Sequence, residues 1–383
     1  MPTFHHRDLR LVEPSFSSIL TTLIIQLDYL RKKKLGGTTH PKIFFQLKDL
    51  FHWLESLASA RIEGNNTTVT DYLETKIDKP RQLPHSHQEI LNMEQAMKFV
   101  DSHVKAEHLD RPFVSELHKM VVDGLPLPLE GEGDRTPGSY RSATVKIAGS
   151  EHVPPDATQV KEYMEELFRF AEGQGESKYD LLRTAIAHHR FVWIHPFTNG
   201  NGRTVRLFTY AMLVKQGFQV DVGRILNPTA VFCSDRDEYY RHLSLADGGT
   251  DEGILQWCEY VLKGLKEEIE KIDHLLDYDY LRKEILLPAI GFSKERKFIT
   301  DGEEKVLRVA AEKQVIQSAD LERVLSAKNK SDISRVIARL KKKRMLAPIG
   351  EGKRKYLLRF DNNFLLRGII HALGEKGFLP VQN

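Results

Sequence analysis

The chain has 383 residues, long enough for two or three domains with real cores, with 41% apolar residues, 28% charged residues and a formal net charge of +3. This is soluble-globular composition and excludes a polycation that coats nucleic acid along its whole length. The two cysteines, Cys233 and Cys258, exclude a disulfide framework and lack metal-ligand spacing, so a reducing cytoplasm is the expected compartment. The first ten residues, MPTFHHRDLR, carry charges where a signal peptide needs an apolar run. Residues 18–27 are apolar but stop at Asp28, too short to cross a bilayer. No membrane partner is expected.

Helical periodicity dominates. Helices are predicted over 16–34, ending at Gly36-Gly37, and over 41–59, where Ile43, Phe44, Leu47, Leu50, Phe51 and Leu54 recur at helical spacing. A third starts near Thr68–Thr70, which are capping types, and others span 87–103 and 112–122. Residues 125–155 then turn rich in Gly and Pro. The strand-like pieces there, 142–147 and 152–153 around the turn Ala148-Gly149-Ser150-Glu151, predict a β-hairpin lying on a helical body. Helices resume at 156–172, 178–194 and 202–216, with Gly217 as a stop signal.

The end of the chain differs in charge. Residues 301–360 hold about 16 Lys and Arg against about 8 Asp and Glu. The order predicted there is helix (303–313), short helix (318–325), helix (331–344), then two strands around a Gly turn carrying Lys353, Arg354 and Lys355. Such an order with a basic third helix is winged-helix-like. A small helical appendage with a solvated basic face is the plainer alternative, and folds of this kind serve protein as well as DNA contacts.

The chemistry concentrates in HPFTNGNGRTVRL, residues 195–207. The preceding helix buries Leu181, Leu182, Ala185, His188, Phe191 and Ile194, and Pro196 ends it. His195 thus stands at a helix end, with Phe197 as an anchor for the loop. Asn199-Gly200-Asn201-Gly202 can take the positive φ values that turn backbone N–H groups to one side, and the next helix offers its N-terminus to the same point. Arg203 and Arg206, three apart, add two guanidinium forks on one face. The sum is an anion cradle with an imidazole at its rim, suited to phosphoryl or nucleotidyl transfer. Many helical proteins contain a helix–Pro–Gly turn–helix corner with no catalytic role, and the residues alone leave that alternative open.

HPFTNGNGRTVR resembles the signature HPFx[D/E]GNGRxxR of the Fic family, matching every fixed position but one. The approach helix resembles the family's as well, through Ala185, His188, Phe191, Ile194, His195, Pro196 and Phe197. YRSATVKIAGSEHVPP resembles its flap, a hairpin that aligns a target segment by strand addition, and SDRDEYYRHL resembles its segment near the nucleotide base. The resemblance implies a mainly α fold: a Fic helical core with a β-hairpin flap, plus a C-terminal winged-helix-like domain. It covers about residues 40–265. The expected division is 1–95 (N-terminal helical region), 96–275 (Fic core) and 276–383 (winged-helix-like).

Members of that family typically move AMP from ATP to a Ser, Thr or Tyr hydroxyl of a protein. On the resemblance, His195 is the general base. Gly200, Asn201 and Gly202 hold the α-phosphate, Arg203 the α- and β-phosphates, and Arg206 the γ-phosphate. Tyr240 lies by the base. ATP is the substrate and Mg²⁺ the cofactor, with Asn199 as its protein ligand. Asn199 is the one departure from the signature: it offers the metal a neutral oxygen where the family has a carboxylate. SARIEG, holding Ser59, Glu63 and Gly64, resembles the family's inhibitory motif [S/T]xxxE[G/N]. Glu63 paired with Arg206 would occupy the cation that the γ-phosphate needs, and in some relatives the same Glu serves removal of AMP. Expected partners are ATP, a protein hydroxyl (this chain's own included), DNA at the basic C-terminal segment, and a second copy in a homodimer. A nucleotide-sensing DNA-binding regulator with a weak or inactive core is the competing function, and phosphotransfer a third.

Overall fold

The structure is a computed structural model that describes residues 4–32, 37–128, 130–147, 150–173, 177–218, 225–226, 228–325, 330–350 and 354–380. The chain separates into two units. The first takes the described residues of Met1–Lys34, His52–Thr68 and Pro80–Ile269; the second takes those of Leu35–Phe51, Val69–Lys79 and Glu270–Asn383.

The first unit is helical. It contains α1 (Ile19–Lys32), the part of α2 (Pro41–Ile62) from His52 onward, α4 (His85–His103), α5 (Arg111–Val122), α6 (Val160–Ala171), α7 (Asp180–Ile194), α8 (Asn201–Lys215), α9 (Pro228–Ser234), α10 (Arg236–Asp247) and α11 (Asp251–Asp273). Local sequence fixes several starts. The Asp110 carboxylate accepts the Phe113 N–H at 3.1 Å and Pro112 follows in the first turn of α5. Asp235 caps α10 in the same way.

One apolar core runs through this unit, with Phe113, Leu117 and Val121 of α5, Met164 and Leu167 of α6, Leu182, Phe191 and Ile194 of α7, and Val205, Phe208 and Met212 of α8. Each such side chain contributes about 1.5–3 kcal/mol by leaving water. Helix α8 is buried on all sides, from Asn201 to Val214 with the exception of Gly202. A helix without a solvent face cannot roll or shift, so the corner joining α7 to α8 is fixed at both ends.

Two expectations for this unit change. Residues 142–147 and 152–153 form no β-ladder among the described residues; the chain bends at Ser142 and Ala143, and the Ser150 N–H donates to the Ile147 carbonyl at 3.2 Å. The backbone there finds its support in Arg141 instead, as described below. Ala148 and Gly149 lie outside the described residues. The first predicted helix begins at Ile19 rather than at residue 16, and its predicted end also lies outside them.

The second unit contains the first part of α2, then α3 (Val69–Asp78). Further on, α12 (Tyr278–Tyr280) runs through a π-helical turn, Leu281–Leu286, into α13 (Leu287–Glu295); α14 (Asp301–Lys313), α15 (Lys330–Lys342) and α16 (Leu366–Glu375) follow. A Thr300–Glu303 capping box starts α14. Three short strands, β1 (Val315–Gln317), β2 (Leu346–Pro348) and β3 (Lys355–Leu358), form an antiparallel sheet in the order β1-β3-β2. The sequence announces β2 and β3 but neither β1 nor α16. In place of the helix expected over 318–325 there is a 3₁₀ turn, Ser318–Leu321, started by the Asp320 carboxylate accepting the Gln317 N–H, and then hydrogen-bonded turns to Leu325. Lys353 lies outside the described residues.

Candidate functional site

Pro196 ends α7 in an informative way. His195 takes φ 51° and ψ 62°, left-handed values that a non-glycine residue adopts at a cost of about 1–3 kcal/mol. Its N–H still donates to the Phe191 carbonyl at 3.0 Å. Arg141 holds the reversed chain. Its Nε donates to the His195 carbonyl at 2.8 Å, Nη1 to Ala143 at 3.0 Å, and Nη2 to Pro155 at 2.6 Å and Ile194 at 3.4 Å. One buried guanidinium therefore ties Ala143 and Pro155 to the end of α7. Burial pushes the His195 imidazole down to about 4, against the opposing charge of Glu63. At neutral pH the ring is unprotonated, the state a general base requires.

The loop beyond is clamped from within. The Asn201 side chain accepts the Phe197 N–H at 2.9 Å and donates to the Phe197 carbonyl at 2.9 Å. That side chain is thus spent on the loop, and only the Asn201 backbone faces the cradle. His118 of α5 stacks flat on Phe197, with ring centroids 3.7 Å apart. The Gly138 N–H donates to His118 Nδ1 at 2.8 Å, so Nε2 carries the proton and donates to the Asn199 carbonyl at 3.0 Å. Burial pushes this ring down to about 4 as well. Gly200 has φ 73° and packs so closely that an added Cβ would lie 3.1 Å from Val122 Cγ1.

Both arginines are occupied by anions from elsewhere in the same unit. Arg206 Nη2 donates to Glu63 Oε1 at 2.7 Å and to the Ser59 carbonyl at 3.0 Å, and its Nε donates to Ser59 Oγ at 2.8 Å. A Cβ on Gly202 would lie 2.1 Å from Glu63 Oε1, so the carboxylate sits over the N-terminus of α8, where an anion is expected. Burial works to raise the Glu63 pKa, but Arg206 and Arg203 outweigh it and hold the carboxyl below its ordinary range. Arg203, fully enclosed, pairs through Nη1 with Glu89 at 2.9 Å and through Nη2 with Glu132 at 3.0 Å. The carboxamide of Asn65 donates to the other oxygen of Glu89 at 2.7 Å. Gly64 turns the chain at φ 101° between Glu63 and Asn65.

Asn199 faces inward. Its Oδ1 accepts the Gly200 N–H at 2.8 Å, its Nδ2 lies 3.4 Å from the Gly133 carbonyl, and its own N–H donates to Asp134 at 3.3 Å. A neutral oxygen already bonded to a backbone N–H is a poor ligand for a hard divalent cation, and no cluster of three or more His, Cys, Asp or Glu suited to a metal occurs among the described residues. The residues present do not fit a Mg²⁺ held by protein ligands. Tyr240 is 41% exposed, with Arg236 over its ring at 5.5 Å. Its neighbour Tyr239 is buried and joined to His188, which also meets Thr209 of α8.

The structure brings His195, Gly200, Gly202, Arg203, Arg206, Ser59, Glu63 and Gly64 to one corner and leaves Tyr240 on a neighbouring surface. Arg141, His118, Glu89 and Glu132 belong to the corner as well. A lone charge in a helix or a Gly-rich loop gives no sequence signal of such a partner.

Residues 108–213 match the Fic/DOC family. Protein adenylyltransferase Fic of Nematostella vectensis is 33% identical over 197 residues, half of this chain and 42% of that protein. The namesake from Drosophila grimshawi is 32% identical over 196 residues, 50% of this chain and 37% of the relative. The matched part thus spans less than half the length of these curated relatives. A Fic family protein from Desulfovibrio desulfuricans G20 shares the fold with a TM-score of 0.56 at 20% identity, covering 92% of this chain and 98% of that one. Fic-1 from C. elegans aligns with a TM-score of 0.53 at 22% identity over 67% of this chain and 72% of that one.

Proposed function

We propose, from the match of residues 108–213 to the Fic/DOC family, that the chain is an autoinhibited adenylyltransferase moving AMP from ATP to a Ser, Thr or Tyr hydroxyl of a protein. The observation that carries the reading is the α7–α8 corner. An unprotonated imidazole stands at the end of one helix, and two arginines flank the N-terminus of the next.

In the reaction His195 takes the proton of the target hydroxyl. The hydroxyl oxygen attacks the α-phosphorus, the bond to the bridging oxygen breaks, and pyrophosphate leaves with that electron pair. The N–H groups of the Gly200–Gly202 turn bind the α-phosphate, and Arg203 and Arg206 neutralise the phosphates that follow. Glu63 occupies this place as an internal anion. While it pairs with Arg206 over Gly202, a γ-phosphate has no cation and the α-phosphorus is not aligned; near-attack geometry carries much of the barrier reduction. Covalent label from α-labelled ATP on Glu63→Gly that is lost in Glu63→Gly/His195→Ala is the expected result. Label from γ-labelled ATP would mean phosphotransfer. Loss of AMP from a pre-modified target with wild type but not with Glu63→Gly would add the reverse reaction.

A second activity is supported by α15. Its exposed face bears Ser331, Ser334, Arg335, Ala338, Arg339 and Lys342, and the unit's element order with its β1-β3-β2 sheet supports reading it as winged-helix-like. Small residues beside cations suit close approach to duplex DNA. Salt-sensitive duplex binding by the full chain, lost in Arg335→Glu/Arg339→Glu, is the expected result.

A further inference from the structure

Arg203 poses a problem that Glu63 does not solve. Its side chain has no exposed surface, whereas the proposed reaction, on which this inference rests, asks it to meet nucleotide phosphates. Releasing Glu63 frees Arg206 and the end of α8 but leaves Arg203 with both of its carboxylates.

Those two carboxylates differ in kind. Glu89 lies on α4 with 5% of its side chain exposed, and Asn65 holds its second oxygen. Glu132 stands on the 123–139 loop with 42% of its side chain exposed. The backbone around it is pinned: the Gly133 N–H donates to the Pro126 carbonyl at 2.7 Å, the Gly131 N–H to Leu127 at 3.0 Å, and a Cβ on Gly133 would lie 2.3 Å from the Leu125 carbonyl. Movement is therefore easiest at the Glu132 side chain itself. The Glu132 carbonyl also accepts from Arg203 Nη2 at 3.1 Å, so a departing carboxylate leaves the guanidinium oriented, with one donor edge newly open.

We propose that Glu132 is a second gating residue of the nucleotide site: it holds Arg203 closed independently of Glu63, and the α- and β-phosphates of a nucleoside di- or triphosphate must take its place. Glu89 stays as the fixed counter-charge that positions the guanidinium. The pocket therefore has two locks, each a carboxylate on one arginine, and opening one leaves the other shut. No bond is made or broken; one anion replaces another on Nη2.

The test uses the full chain as wild type, Glu132→Gln, Glu63→Gly and Glu63→Gly/Glu132→Gln, with ADP and ATP binding measured by calorimetry and folding checked by thermal midpoint. Glu132→Gln keeps the side chain's volume and removes its charge. ADP binding is expected to tighten about tenfold on Glu132→Gln in both backgrounds, since contacts on separate arginines add. In the Glu63→Gly background the KM for ATP is expected to fall while kcat changes by less than about twofold, a split that loss of a merely structural contact would not give. Unchanged or weaker ADP binding in both Glu132→Gln proteins, with tight ATP binding by Glu63→Gly, overturns this proposal alone. Absence of ADP and ATP binding in all four folded proteins overturns the nucleotide-site reading together with it.

Discussion

The Glu63 carboxylate lies 2.7 Å from Arg206 Nη2, 143 residues away in sequence, while Ser59, one helical turn before Glu63, holds the Nε of the same guanidinium. The four-residue spacing of Ser59 and Glu63 puts both on one face of the end of α2. A bidentate partner is thereby built from one helix end.

Glu63→Gly is expected to raise AMP transfer at least about tenfold and to lower the thermal midpoint, because a buried guanidinium loses its charge partner. Radiolabel incorporation and differential scanning calorimetry on the same preparation check both. Equal transfer by the two proteins would exclude a brake at this position. Ser59→Ala leaves the ion pair and is expected to cost about 1–2 kcal/mol of stability with a smaller gain in transfer.

Arg141→Ala removes the ties from the 141–155 segment to the carbonyls of Ile194 and His195. In the Glu63→Gly background it is expected to lower kcat about a hundredfold while ATP affinity stays unchanged, since Arg141 touches the base's backbone and no phosphate-binding group. Parallel loss of ATP affinity would show that the segment supports the nucleotide rather than the base.

Acid should destabilise the protein through its buried imidazoles. His118 and His195 both sit at about 4, and His188 lies well below its ordinary value, in each case through burial first. Between the ordinary value of 6.5 and about 4 the unfolded chain binds protons that the native chain refuses, so stability falls as pH drops through that window. Urea titrations at pH 5 and 7 should report uptake of at least about two protons on unfolding from these rings, reduced by about one in His118→Gln.

Glu55 gives the opposite limb. It is buried, its Oε1 accepts the Thr229 N–H at 2.6 Å, and burial pushes its carboxyl up to about 8. The native state keeps this proton between 4.5 and about 8 while the unfolded chain releases it, so stability falls as pH rises through that range. Glu55→Gln preserves the acceptor and removes the ionisation. It is expected to match wild type near pH 5 and to exceed it by about 2 kcal/mol above pH 8, measured by denaturant midpoints.

The sequence was most legible where chemistry is packed into consecutive residues. The 195–207 string exposes the corner because Pro196, the Gly-Asn-Gly turn and the two arginines each have a local conformational meaning. Ser59 and Glu63 were legible only through the resemblance of SARIEG to an inhibitory motif, since a glutamate at a helix end otherwise reads as a solvated charge or a cap. Glu89 and Glu132 were not, since a carboxylate on a helix or in a loop looks solvated until its distant partner is known. β1 escaped because three residues carry no usable alternation, and its pairing with β3 is a long-range fact. The 142–153 pieces read as strands because their side chains favour extended backbone, yet an extended chain becomes a ladder only with a partner, and none of the described residues supplies one.

The doubly bonded Asn201 and the stacked pair of His118 and Phe197 make the loop rigid before any ligand arrives. On the proposed function, regulation at this corner works like an ion exchanger, with the matrix fixed and only the counter-ions traded. A carboxylate would leave whenever a phosphate entered, and the arginines would never be bare. Added salt should therefore weaken the resident and the incoming anion together, so occupancy depends more on how many carboxylates the chain retains than on ionic strength.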